Sequence, residues 1–139
     1  MTEDCLFCKI VSGEIPSYRV YEDEAVYAFL DINPASEGHT LVAPKKHFNS
    51  FTDLGVEDIA ALFEAAKKVT LALEKAFSAN GMNIGVNNGE VAGQEVPHVH
   101  VHVIPRKKGD GGRGIKSIVW TEPDTANLEG MAEKIRKAF

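Results

Sequence analysis

Three histidines alternate with three valines in His98-Val99-His100-Val101-His102-Val103, with Pro97 just before the run and Ile104-Pro105 closing it. Valine is β-branched and proline bounds strands, so this run predicts one extended strand from about Val99 to Ile104. A period of two sends His98, His100 and His102 to one face and the valines to the other. The valine face reads as core. The opposite face needs no imidazole for that purpose, since Thr, Ser or Lys would meet solvent equally well. Three of the chain's five histidines in strict register therefore point to chemistry. Imidazole acts as nucleophile, base, acid or metal ligand. Side chains two residues apart on a strand have roots about 6.6 Å apart, so neighbours can converge on one bound group. Two readings follow: a histidine nucleophile with a histidine helper, or a metal-dependent hydrolase holding one ion with the three imidazoles.

The 139 residues suit one domain spanning 1–139 with a sizeable core. A net charge of −5 argues against binding nucleic-acid polymers or anionic membranes, and leaves single nucleotides open as ligands. The acidic start Met1-Thr2-Glu3-Asp4 leads into no long apolar run, so neither a secretory signal nor a transmembrane span is expected, and a cytoplasmic location is. Both cysteines lie in Cys5-Leu6-Phe7-Cys8. In a reducing compartment a structural disulfide is disfavoured, and no thioredoxin-like context follows. Half a zinc site is the better reading, with His39, His47 and the triad as sources of the other ligands.

Leu6, Phe7, Ile10 and Val11 predict a short helix or turn stopped by Gly13 and Pro16. Arg19 to Tyr21 and Ala25 to Leu30 read as a hairpin, and Thr40 to Ala43 as a third strand. The polar loop Asp31 to His39 between them is of the kind that carries function. From Val56 to Phe77 the apolar residues Val56, Ile59, Leu62, Phe63, Ala66, Val69, Leu73 and Phe77 follow the helical period. Gly55 is placed to cap that helix, Glu57 and Asp58 suit its first turn, and Asn80-Gly81 is the expected stop. Met82 to Val86 reads as a fourth strand, joined through the turn-rich Asn87 to Gly93 loop to the histidine strand. The basic, glycine-rich Arg106 to Gly114 lacks the P-loop pattern and reads as a solvated loop. Ile115 to Trp120 predicts a further short strand or an interface segment, and Leu128 to Phe139 a terminal helix weakened by Gly130.

Taken together, His98-Val99-His100-Val101-His102-Val103-Ile104, the preceding Gly93-Gln94, the upstream Asp31-Ile32-Asn33-Pro34 and the Pro44-Lys45-Lys46-His47 segment resemble the histidine-triad (HIT) superfamily, specifically its Hint-type and bacterial members. The resemblance covers residues 5 to 106. It implies an α+β fold in which a five-stranded antiparallel sheet carries one long helix and a C-terminal helix, with the sheet continued edge to edge across a homodimer.

The resemblance also implies roles. His100 matches a nucleophile that attacks the α-phosphate of a nucleotide and forms a nucleotidyl-histidine intermediate, which water then hydrolyses. His102 matches its partner at the phosphate oxygens, and Gln94 and Asn87 match further polar contacts there. Asp31 matches the carboxylate that accepts the ribose hydroxyls, and His39 a histidine supporting the triad. Leu6, Phe7, Ile10, Ile15, Phe29 and Ile32 match a purine slot for an AMP- or GMP-like ligand, although each is also ordinary core material. In zinc-containing bacterial relatives the metal is held at positions matching Cys5, Cys8, His47 and His98, a closed set that is structural in type. Glu95 departs from the pattern, since well-known Hint members carry a serine there that helps the leaving amine depart; as a catalytic candidate it is either a proton donor, if burial or phosphate charge raises its pKa, or an anion that disfavours highly charged leaving groups. The implied activity is hydrolysis or transfer at the α-phosphorus of purine nucleoside phosphoramidates or adenylylated amines. The alternatives are dinucleoside polyphosphate hydrolysis and a nucleotide-binding regulatory protein with little turnover.

Overall fold

The computed structural model describes residues 2–139. Its elements in chain order are α1 (Leu6–Val11), β1 (Arg19–Glu22), β2 (Val26–Leu30), β3 (Thr40–Pro44), α2 (Val56–Phe77), β4 (Gly81–Gly85), β5 (Val101–Arg106) and α3 (Leu128–Arg136). The five strands form one antiparallel sheet in the order β1-β2-β3-β5-β4.

The two faces of this sheet have different tasks, and strand alternation sorts the residues between them. On one face Val26, Ala28, Val42, Val101 and Val103 meet Leu62, Ala65, Ala66, Val69 and Leu73 of α2. Full burial of one such aliphatic side chain stabilises the fold by roughly 1.5–3 kcal/mol. On the other face Tyr27, Phe29, Leu41 and Ala43 meet Phe7, Cys8 and Ile10 of α1 and Cys5 at its N-cap. The triad valines belong to the first cluster and the triad histidines to the second face, as their register predicts. Helix α2 starts after Gly55, whose backbone N–H donates to the Asp58 carboxylate at 3.2 Å. It ends at Phe77, as its apolar period predicts, with Ser78 taking the left-handed conformation at φ 50° just ahead of Asn80-Gly81.

Two expectations are corrected. Strand β5 starts at Val101 and runs to Arg106, two residues beyond the expected Val99 to Ile104 span. Before it, the Val99 N–H donates to the Phe48 carbonyl instead of a strand neighbour, and the His98 carbonyl accepts the His100 ring N–H. At the far end Pro105 continues the strand opposite Met82, because the pairing with β3 ends at Val103 and no donor is needed on that side. The Ser36 hydroxyl instead donates to the Pro105 carbonyl at 2.7 Å. The Ile115 to Trp120 segment is not a strand: Ile115–Ser117 is one short 3-10 turn, and the apolar side chains around it are exposed. An apolar run forms a strand only beside a neighbour that satisfies its backbone, and no strand pairs with it among the described residues. None of the helices among the described residues is long and apolar enough to cross a membrane.

Candidate functional site

The three triad imidazoles do not converge on one point. His98 is fully buried and turns toward the cysteines, whereas His100 and His102 open on a cavity of about 460 Å³. That size lies within the range of small-molecule sites. All six apolar residues expected to form a base slot, Leu6, Phe7, Ile10, Ile15, Phe29 and Ile32, line this cavity, together with Asp31, Asn87 and Glu95. Ser17, Tyr18, Asn33 and Val96 line it too. Asn33 belongs to the Asp31-Ile32-Asn33-Pro34 segment, whereas Ser17, Tyr18 and Val96 carry no signal in the sequence, since single residues of these types are common everywhere.

Hydrogen bonds to groups of fixed polarity assign the neutral tautomer of each histidine, because a carbonyl only accepts and a backbone N–H only donates. His100 donates its Nδ1–H to the His98 carbonyl at 2.8 Å, so its Nε2 carries a free lone pair. His39 Nδ1 accepts the Ala35 N–H at 3.0 Å, so its proton sits on Nε2, which faces His102 Nδ1 at 2.9 Å. His102 Nδ1 therefore accepts, and its own proton lies on Nε2. The pair that faces the cavity thus offers one nucleophilic nitrogen and one N–H donor. Burial is the first cause that lowers the pKa of His39, His100 and His102 below the ordinary imidazole value, partly opposed by the Asp31 carboxylate near each of them.

The loop residues divide between two tasks. Asp31 lines the cavity, and its Oδ1 accepts the Asn33 N–H at 2.8 Å. Gln94 does not turn its amide to the histidines: Oε1 accepts the Gly89 N–H at 2.9 Å, while Nε2 donates to the carbonyls of Asn49 at 2.6 Å and Val96 at 3.0 Å. Asn87 Nδ2 reaches the Gly93 carbonyl at 3.4 Å. Gly93 has φ +99°, a conformation side-chain-bearing residues rarely adopt, and a Cβ there would meet Asn87 at 3.4 Å. Glu95 is exposed at the boundary between the cavity and an adjoining depression that also takes in Glu90, and no Lys or Arg lines either.

A second cluster lies behind the triad strand. Cys5 Sγ stands 3.4 Å from His98 Nδ1, and Cys8 Sγ stands 3.3 Å from His47 Nδ1 and 3.6 Å from His98 Nδ1. Tetrahedral zinc with arms of about 2.3 Å to sulfur and 2.0–2.1 Å to nitrogen spaces S and N by about 3.6 Å, which these separations fit. The tautomers fit as well. His98 donates Nε2–H to the Pro44 carbonyl at 2.8 Å and His47 donates Nε2–H to Asn49 Oδ1 at 2.7 Å, so both Nδ1 atoms present lone pairs to the cysteines. Burial pushes the Cys5 thiol pKa up and holds the His98 pKa down at about 4, and a divalent ion supplies the charge that a buried thiolate needs. Asp31, His39 and His102 also bring potential ligand atoms together. Their tautomers oppose a metal, because His39 Nε2 keeps its proton while Nδ1 accepts from Ala35.

Comparison with known proteins agrees with this geometry. The HIT domain family model matches residues 12–109. The chain is 50% identical to the protein hit of Bacillus subtilis over 136 residues, 97% of this chain and 94% of the relative. It is 40% identical to the adenylylsulfatase HINT3 of Arabidopsis thaliana over 110 residues, 79% of this chain and 56% of that longer protein. Among solved structures, a Streptococcus mutans protein superposes with a TM-score of 0.88 at 48% identity, covering 99% of this chain and 87% of that one. A zinc-bound histidine triad family protein from Mycobacterium smegmatis gives 0.76 at 36% identity, covering 98% of each chain. The histidine triad nucleotide-binding protein of Candida albicans gives 0.81 at 36% identity, covering 97% of this chain and 96% of that one. With a sheet, an alternating histidine strand and a family match that all coincide on the same residues, this chain belongs to the HIT domain family.

Proposed function

We propose that this protein cleaves the bond between the α-phosphorus of a purine nucleotide and an amine, by way of a nucleotidyl intermediate on His100. The observation that carries the reading is the pair of complementary tautomers at the cavity: a free Nε2 lone pair on His100 beside an Nε2–H on His102. The likeness to a Candida albicans nucleotide-binding protein and to an Arabidopsis thaliana adenylylsulfatase supports a nucleotide and a reaction at its phosphorus.

In this reading the purine packs among Leu6, Phe7, Ile10, Ile15, Phe29 and Ile32, and Asp31 accepts the ribose hydroxyls. His100 Nε2 attacks the α-phosphorus. The bond from phosphorus to the amine nitrogen breaks, and the amine leaves with the bonding pair and takes a proton from water. His102 donates its Nε2–H to a phosphate oxygen, where charge develops. Water then attacks the phosphorus and gives up a proton, the bond to His100 breaks, and its electron pair returns to Nε2. His39 holds His102 in the required tautomer, and Gln94 holds the Gly89 to Val96 loop against the site. Cys5, Cys8, His47 and His98 would hold zinc, which supplies a structural cross-link and no open position for substrate. A homodimer is part of the reading. The exposed apolar residues Trp120, Leu128 and Ile135 support it, as does β4 at the sheet edge, which a partner would cover. Sedimentation as a monomer at micromolar concentration would contradict the dimer.

The mechanism is tested by acid-quenching the protein during turnover of an adenosine phosphoramidate and weighing its peptides. AMP is expected on the peptide that contains His100, and His100→Ala should lose both adduct and turnover. Full activity in His100→Ala, or turnover by a folded protein that strictly requires added metal, would defeat the histidine-nucleophile mechanism.

A further inference from the structure

The cysteine cluster and the nucleotide cavity share two pieces of chain. The first is α1. Cys5 caps this helix and Cys8 lies inside it, while Leu6, Phe7 and Ile10 face the cavity. A six-residue helix is far shorter than the roughly 12–15 residues at which helices become even marginal alone, so its side-chain ties decide where it sits. The Phe7 ring, between the two cysteines, packs edge-on against Phe29 at 5.2 Å, His98 at 5.8 Å and the nucleophile His100 at 4.9 Å. The second piece is His98. Its ring Nδ1 faces both sulfurs, and its carbonyl accepts the Nδ1–H that fixes the His100 tautomer.

We propose that zinc at Cys5, Cys8, His47 and His98 and nucleotide in the cavity bind cooperatively, because the cluster positions Phe7 and His100. The proposal rests on the nucleotide reading above and adds a regulatory link to it. Four metal bonds would hold α1 and the His98 backbone in the arrangement that the cavity requires. The ordering cost of that wall then falls on zinc binding and no longer on nucleotide binding. Linkage makes the effect reciprocal: nucleotide must raise zinc affinity by the same factor.

Calorimetric titration of AMP into the full chain, first loaded with one equivalent of zinc and then stripped by chelator under reductant, reads the linkage. The zinc-loaded form is expected to bind AMP about 5- to 150-fold more tightly, the usual range for coupled sites. Competition with a chromophoric chelator should find zinc held more tightly by that same factor when AMP is saturating. Equal AMP affinity in the two folded forms overturns the linkage and leaves the nucleotide reading standing, whereas no AMP binding by the zinc-loaded form overturns both. Cys8→Ser keeps the test decisive if stripping unfolds the native protein: the folded variant, which lacks one of the four ligands, should bind AMP more weakly than the zinc-loaded native protein by that same factor, and equal affinity overturns the proposal. Phe7→Leu separates a shared wall from general stiffening. That variant should keep its zinc but show a smaller linkage factor, and an unchanged factor overturns the proposed route. Nitrogen-15 spectra of the imidazoles give a readout without nucleotide: His100 should hold its Nδ1–H tautomer with zinc and mix tautomers without it, and an identical ratio in both states again counts against the link.

Discussion

Nε2 of His39 stands 2.9 Å from Nδ1 of His102, a contact between residues 63 positions apart in sequence. With Nδ1 of His39 occupied by the Ala35 N–H, this one contact decides that His102 presents an N–H and not a lone pair to the cavity. His39→Ala is therefore expected to lower kcat by about 10- to 1000-fold, the scale of losing a donor that acts in the transition state, while the protein stays folded. His39→Gln, whose amide N–H reaches nearly as far, should recover part of that loss. Equal activity of His39→Ala and the native protein would remove His39 from the machinery.

Asp31→Ala should weaken AMP binding by roughly 10- to 150-fold, equivalent to the about 1.5–3 kcal/mol of hydrogen bonds made to a charged acceptor. An analogue that lacks both ribose hydroxyls should be affected much less. The same loss for both ligands in calorimetry would show that Asp31 does not read the ribose.

Burial lowers the pKa of His39, His100 and His102, so the folded protein binds fewer protons than the unfolded chain just below the ordinary imidazole value of about 6.5. For a base with a depressed pKa, stability is at its full value above pH of about 6.5. It falls as pH drops through that value toward the folded pKa. Melting temperature should accordingly decline on acidification from about pH 6.5. Because the same shift keeps the His100 lone pair available, the acid limb of kcat/KM should lie below 6.5; a limb centred above pH 7 would contradict a buried neutral nucleophile.

Zinc content should be about one per chain in protein purified without added metal. If zinc is bound at 1000 times its Kd, it stabilises the fold by about 4 kcal/mol, or roughly 10–15 °C in Tm. Chelator and Cys8→Ser should each lower Tm accordingly. A metal-free protein whose Tm responds to neither would sink the zinc assignment.

Glu95 lies at the boundary between the cavity and the adjoining depression that Glu90 also lines, without a cation among the lining residues. Glu95→Gln should raise kcat/KM for a dinucleoside polyphosphate by about tenfold relative to a neutral-amine phosphoramidate. A charge a few ångströms away at a partly wet surface is worth that order of energy. An unchanged ratio of the two substrates would show that Glu95 does not select the leaving group.

Much of this protein was legible from sequence because its signals are local. The 22-residue helix α2 was placed from its apolar period, and the valine-histidine alternation sorted two faces correctly, since a strand's period of two leaves a residue no other choice. The start of β5 lies two residues later than the alternation predicts because the Val99 N–H is taken by the distant Phe48 carbonyl and the His98 carbonyl by the His100 ring. Of the two readings of the run from Ile115, the strand fails because apolar residues signal burial without naming a partner. Sequence also brought Cys5 and Cys8 together with His47 and His98 only through family likeness. What the tertiary structure alone decided is the protonation pattern. The carbonyls of Pro44 and His98, the Asn49 amide oxygen and the Ala35 N–H each meet a histidine across a turn or a strand, and those contacts determine which nitrogen is nucleophile, donor or ligand. An imidazole carries both options in its formula, so its role is set by the neighbour that the fold supplies.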